Sequence, residues 1–282
     1  KDYVRAAPPL RRALALNNDL PGAHQMLGTA LLAQGAAGEA IPHLEKSQTI
    51  DLLGIALFEA GRARDAIDKL ETALLQRPND PDLLYYLTQA HGSLSKTLFD
   101  KLRAQPGART EQLLGEAAAA SGQPAEAEKH FKAAIAARPE IRGVHLALGE
   151  LHLSAGAFAS AEKEFREEAA MSPASALAAY KLGLALANLG QPAAAAKEFE
   201  RAFALRPDMP EAALELGKAL AATGKMPEAA TALQNVIKLE PESLLAEAAY
   251  LQLAQVYRKM SLPAESRSAT EALQRLRKKR NP

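Results

Sequence analysis

Apolar positions return along this chain at a fixed spacing. A Leu-Gly pair stands at Leu114-Gly115, Leu148-Gly149, Leu182-Gly183 and Leu216-Gly217, 34 residues apart each time. A constant period of that length marks an architecture of stacked repeats. Seven residues after each pair comes another glycine, at Gly122, Gly156, Gly190 and Gly224. An alanine follows at Ala127, Ala161, Ala195 and Ala229, then a large apolar residue at Phe131, Phe165, Phe199 and Leu233. A proline closes each unit, at Pro139, Pro173, Pro207 and Pro241. The pattern reads as a helix, a tight turn, a second helix and a stop, because glycine suits the turn and proline cannot continue a helix. It predicts helix pairs over 108–121 and 124–137, 140–155 and 158–171, 174–189 and 192–205, and 208–223 and 226–239, with no strands. The four alanines are expected to be buried between the helices of their pairs, where only a small side chain permits close approach.

In combination these positions resemble the tetratricopeptide repeat, and the resemblance covers nearly the whole chain. It implies an all-α fold, a right-handed superhelical solenoid of antiparallel helix pairs, running as one array through 1–282. In that frame 1–16 is the second helix of a truncated unit. Units follow at 21–50, 51–78, 81–106, 108–139, 142–173, 176–207 and 210–241, and 242–282 is a closing pair.

The first third of the chain departs from the frame twice. From Gly28 to Gly54 is 26 residues, and from Thr88, which takes the glycine position of its unit, to Gly115 is 27. At the first short interval Ile50-Asp51 runs directly into Leu52-Leu53-Gly54, leaving little room for a turn, and a break between Asp51 and Leu52 is expected. At the second, Ser93 to Asp100 has no Gly or Pro where a turn belongs, so either a shortened second helix or one long continuous helix is expected.

Composition narrows the function. The net charge of +1 implies no bulk attraction to nucleic acid or to a membrane surface. No run approaches the roughly 20 apolar residues of a membrane span. The absence of cysteine removes disulfides, thiolate metal sites and cysteine nucleophiles. No signal peptide is visible at Lys1, but a chain expected to begin within a unit leaves cytoplasm and periplasm both open.

No catalytic, cofactor or metal motif is found, and the chain reads as a non-enzyme. Gly217 to Met226 carries a Gly-Lys pair, yet the glycine spacing is wrong for a phosphate loop and Met226 stands where Ser or Thr is needed. His145 and His152 share a helix face, but they occupy positions where the repeat family carries packing aromatics, as does His24. Packing or capping is favoured over metal binding. The acidic run Glu162, Glu164, Glu167 and Glu168, interspersed with Lys163 and Arg166, reads as a solvated outer face. The cluster Arg275, Arg277, Lys278, Lys279 and Arg280 reads as offsetting the negative end of the last helix dipole, in preference to an anionic membrane or nucleic-acid contact.

Function then rests on the surface that stacking creates. The resemblance implies that the first helices line an inner groove that binds a peptide or helix of a partner protein. The corresponding positions are Gln25, Thr29 and Leu32; Ile55, Phe58 and Glu59; Tyr85, Gln89 and Ser93; Arg109, Gln112 and Glu116. Further on come Arg142, Leu146, Glu150 and Leu153, then Tyr180, Leu184 and Asn188, then Leu214 and Lys218. Tyr85 and Tyr180 are anchor candidates, with packing between units the alternative for Tyr85 and Tyr86. Arg109 and Arg142 are candidates for holding a carboxylate. Chaperone-binding members of the family clamp a C-terminal carboxylate with a Lys-Asn pair. This chain has Gln25 and Thr29 there, which disfavours the tails of the large heat-shock chaperones. The expected function is a non-catalytic protein-interaction scaffold. The alternatives are a self-assembly module and an accessory domain of a larger enzyme.

Overall fold

The computed structural model describes residues 3–280, except the Val4 side chain. Among the described residues there are sixteen α-helices and no strand. The chain divides into two compact units, Lys1–Gln105 and Pro106–Pro282.

The first unit holds α1 (Tyr3–Leu16), the pair α2 (Ala23–Ala33) and α3 (Ala37–Lys46), the pair α4 (Ile50–Glu59) and α5 (Ala63–Gln76), and the long α6 (Pro81–Arg103). The second holds five pairs. These are α7 (Ala108–Ala120) with α8 (Pro124–Ala137), α9 (Val144–Ser154) with α10 (Phe158–Met171), α11 (Ala176–Asn188) with α12 (Pro192–Leu205), α13 (Pro210–Ala222) with α14 (Met226–Leu239), and α15 (Leu244–Lys259) with α16 (Pro263–Arg280). In both units each helix packs on the next, and first helices also reach the first helix of the following pair, as α4 does α6 and α9 does α11. The first helices therefore share one face of each stack. The Gly217–Met226 segment is the end of α13, a turn at Gly224 and the start of α14.

The second helices span the residues expected for them, while α9 starts four residues later than the pattern predicts. Gly143 has φ 87°, a left-handed conformation that cannot belong to the helix, so α9 begins at Val144.

Within each pair the turn is closed by a left-handed glycine. At Gly190 φ is 70°, and the following Gln191 N–H donates to the Leu186 carbonyl at 3.0 Å. This is the Schellman arrangement, which satisfies a carbonyl at the helix end. The last pair makes the same turn without glycine. Ser261 takes φ 60° and Leu262 N–H donates to Tyr257 O at 2.9 Å.

The Leu-Gly glycine is where the two helices of a pair meet. A Cβ on Gly183 would lie 2.6 Å from the Phe199 ring, and one on Gly115 or Gly149 would meet Phe131 or Phe165 just as closely. The three phenylalanines are buried, and Ala127, Ala161, Ala195 and Ala229 are each 0% exposed. Where the pressing side chain is missing, so is the glycine. No second helix follows α6, and Thr88 replaces glycine there, exposed, with its hydroxyl donating to Leu84 O at 2.8 Å. In the last pair Ala254 takes the glycine position and Thr270 that of the phenylalanine. Ser266, in the alanine position, is buried and donates to the Ala254 carbonyl at 2.8 Å.

The break expected between Asp51 and Leu52 is not there. That peptide lies inside α4, where Leu53 N–H donates to Thr49 O at 2.9 Å. Room is found by shortening α3 and α4 to 10 residues each, against 14 for α5. The turn between them is Ser47-Gln48-Thr49, with Gln48 at φ 55° and Thr49 N–H donating to Leu44 O at 3.2 Å. At the second short interval the continuous helix forms: α6 runs 23 residues.

Two expectations follow for stability. Gly183→Ala gains about 1 kcal/mol of helix propensity but must displace the Phe199 ring, and a net loss of about 1–3 kcal/mol is expected in urea denaturation. Gly92→Ala, in the interior of α6 with nothing within 4 Å of the added methyl, should instead stabilise by up to about 1 kcal/mol. Equal effects at the two sites would refute the role given to close approach. Separately, Ser261→Gly should raise the melting temperature, since it removes a left-handed strain of about 1 kcal/mol.

Candidate partner-binding faces

In the first unit the inner positions on α2, α4 and α6 are largely accessible. Gln25, Glu59, Gln89 and Ser93 are exposed, and Thr29, Leu32, Ile55 and Phe58 are half-buried. Thr29 spends its hydroxyl on the Gln25 carbonyl, 2.8 Å away. The two neighbouring tyrosines separate in role. Tyr86 packs its ring edgewise on Phe58, with centroids 5.9 Å apart, and on Tyr85 at 5.4 Å. Tyr85 itself is 59% exposed. Burial, followed by the charges of Glu59, Tyr85 and Asp82, pushes the Tyr86 hydroxyl above its usual pKa. Met26, 61% exposed on α2, is an apolar contact the repeat frame did not single out.

In the second unit the positions divide. Arg109 donates to Gln112, whose amide donates to Glu116 Oε1 at 2.8 Å, so this trio forms a chain along α7. Arg142, Glu150 and Asn188 are exposed, and Leu146, Leu153, Tyr180 and Leu184 are half-buried. Glu150 on α9 pairs with Lys181 on α11 at 2.6 Å, tying two consecutive first helices. Tyr180 leans on Phe199 with ring centroids 5.9 Å apart. Burial first, then Glu215 and Glu211, push its pKa up to about 12. Lys218 pairs with Glu215 at 2.7 Å. Leu214 is a correction: it is 4% exposed, within an apolar cluster with Leu233 and Leu253, and offers nothing to a partner. Lys181, Glu211 and Glu215 were missed because the repeat frame marks positions, whereas their part depends on which charges meet across helices.

Four of the six histidines lie inside the helix pairs. His24 and His43, Glu111 and His130, and His145 and Glu164 occupy one common register, each pair joining the first helix of a unit to its second. The distances are 2.8 Å between the two Nδ1 atoms, 2.8 Å from His130 Nδ1 to Glu111, and 2.7 Å from His145 Nδ1 to Glu164. Among the described residues no group of three or more acidic, His or Cys side chains is placed to hold a metal ion.

The acidic run on α10 is not wholly a solvated face. Glu168 is 5% exposed, and both its oxygens accept from the Gly143 N–H, at 3.0 and 3.2 Å. It thereby caps the start of α9 from the neighbouring helix. Glu164 is taken up by His145, Glu162 accepts from Arg166, and only Glu167 lies open. At the basic end of α16, Arg277 and Arg280 pair with Glu247 at 3.3 and 2.6 Å and Lys279 pairs with Glu242. Three of the five cations clustered at the end of α16 are thus matched by carboxylates in or just before the first turn of α15.

The profile of the tetratricopeptide repeat matches residues 52–91, 113–176 and 180–243, and the chain belongs to that family. Among solved structures it is similar to MamA, at 23% identity over 60% of this chain and 96% of that one, with a TM-score of 0.57. A MamA fragment from Desulfovibrio magneticus RS-1 is similar at 18% identity over 62% and 97%, with a TM-score of 0.58. YrrB, described as a TPR protein with an unusual peptide-binding site, is similar at 17% identity over 63% and 91%, with a TM-score of 0.59. At these identities the likeness is one of fold. No curated protein matches the chain significantly. No described helix is long and apolar enough to cross a membrane.

The His24–His43 contact makes stability depend on pH. Burial, then the charges of His24, Lys46 and Arg11, lower the His43 pKa below 6.5, with Glu39 opposing. The unfolded chain therefore binds the proton more readily than the folded one, so stability is full above pH 6.5 and falls as the pH drops through the folded value. Thermal unfolding should show a decline between about pH 7 and pH 5 that His43→Gln reduces; an identical decline in the variant would refute the assignment.

Proposed function

We propose that this protein is a non-catalytic scaffold that holds an extended peptide or a helix of a partner protein on the face formed by its first helices. The observation that carries the reading is that, within each unit, these helices keep half-buried apolar groups and exposed polar groups side by side on one face. In the second unit these are Leu146, Leu153, Tyr180 and Leu184 beside Arg142, Glu150 and Asn188. Half-buried apolar and aromatic groups beside solvent-accessible polar ones supply the anchors and orienting bonds that peptide recognition needs. Family membership supports the reading, as does the peptide-binding site ascribed to the similar YrrB. The face is mixed in sign, so it suits a partner with both apolar and charged side chains.

Arg142→Glu combined with Asn188→Arg changes two exposed positions on this face and should leave the fold intact. Affinity capture with the whole chain as bait, read by mass spectrometry, should lose its partners with this variant and keep them with Lys197→Ala, on the exposed side of α12. The opposite pattern would place binding on the second helices and overturn the proposal.

A further inference from the structure

We infer that the first unit takes hold of its partner through a basic side chain, seated on the open Tyr85 ring beside the Glu59 and Asp82 carboxylates. This deepens the proposed scaffold function and rests on it. The ring is held in place: Tyr85 meets Tyr86 edgewise at 81° and Tyr86 meets Phe58 at 67°, so three aromatics from α4 and α6 brace one another. An exposed, braced aromatic face attracts a cation through its quadrupole. Asp82 stands three residues before Tyr85 on α6, hence on the same side of that helix, and Glu59 ends α4 next to Phe58; the charges of both bear on Tyr86, after burial. Both are exposed, and among the described residues neither side chain forms an ion pair. In the second unit Glu150 is met by Lys181 and Glu215 by Lys218, while Glu211 bears on Tyr180, whose half-buried ring leans on Phe199 and is not open as Tyr85 is. An aliphatic occupant beside Tyr85 would draw water from two unpaired carboxylates at a cost, and an acidic one would be repelled. An arginine or lysine would find both the ring and the counter-charge.

The test is a peptide-display selection on the whole chain, followed by fluorescence anisotropy with the selected peptides. Peptides carrying arginine or lysine should be enriched. Citrulline in place of the arginine, Glu59→Gln with Asp82→Asn, or Tyr85→Leu should each weaken binding by about fivefold. Helical content measured by circular dichroism should stay unchanged in these variants of exposed residues. Selected peptides that lack a cation, or that bind the Glu59, Asp82 and Tyr85 variants normally but fail on Arg142→Glu with Asn188→Arg, would overturn this inference while leaving the scaffold reading standing. A chain that selects no peptide at all would overturn both.

Discussion

The contact between a glycine on the first helix of a pair and a large side chain on the second governs the rest of the structure. Phe199 rests where a Cβ on Gly183 would otherwise lie, and Ala195 is fully buried nearby on the same second helix. That approach turns two marginal helices of 13 and 14 residues into one stable unit, since isolated helices of this length barely form in water. It also sets which sides of the first helix remain for the neighbouring pair and for solvent. The face proposed for a partner is what that packing leaves over.

Polar groups inside the pairs follow the same geometry. Four residues before the glycine, the first helix faces the second at a fixed register, and three units fill it with a hydrogen-bonded pair: His24 with His43, Glu111 with His130, His145 with Glu164. A half-buried imidazole without a partner would cost stability, so the register accepts histidine only when the opposite helix supplies nitrogen or carboxylate. Glu168 works on the next level up. By accepting from Gly143 N–H it joins α10 to the start of α9, where a left-handed glycine has ended the preceding segment.

The two faces on the first helices differ in how their charges are spent. On the second unit, carboxylates and amines of adjacent turns and helices neutralise one another, as in Glu150 with Lys181, and such partly exposed pairs add little stability. They do set which charges stay available to a partner. On the first unit, Glu59 and Asp82 stay unspent beside an aromatic cluster. One repeat frame can thus present different chemistry in each unit without altering the packing beneath.

The helix pairs were legible in the sequence because their signals are local and periodic: glycine where the turn goes left-handed, alanine and phenylalanine at helical spacing, proline at the stop. Even the exceptions at Thr88 and Ala254 are consistent with the frame, once the missing or smaller partner on the second helix is seen. What depends on distances between helices was not legible. The Ser47-Gln48-Thr49 turn rescued a unit that seemed too short, because a non-glycine residue there accepts a left-handed backbone. Tyr85 and Tyr86 stand adjacent in sequence, yet one is braced on Phe58 and the other is open. Leu214 sits at a position that reads as inner face but lies in a cluster with Leu253 of the following pair. Repeat position by itself determined the helices and the glycine contact, since both arise within one unit. Exposure and charge pairing were decided only by the tertiary structure, because each depends on the neighbouring unit that a residue meets.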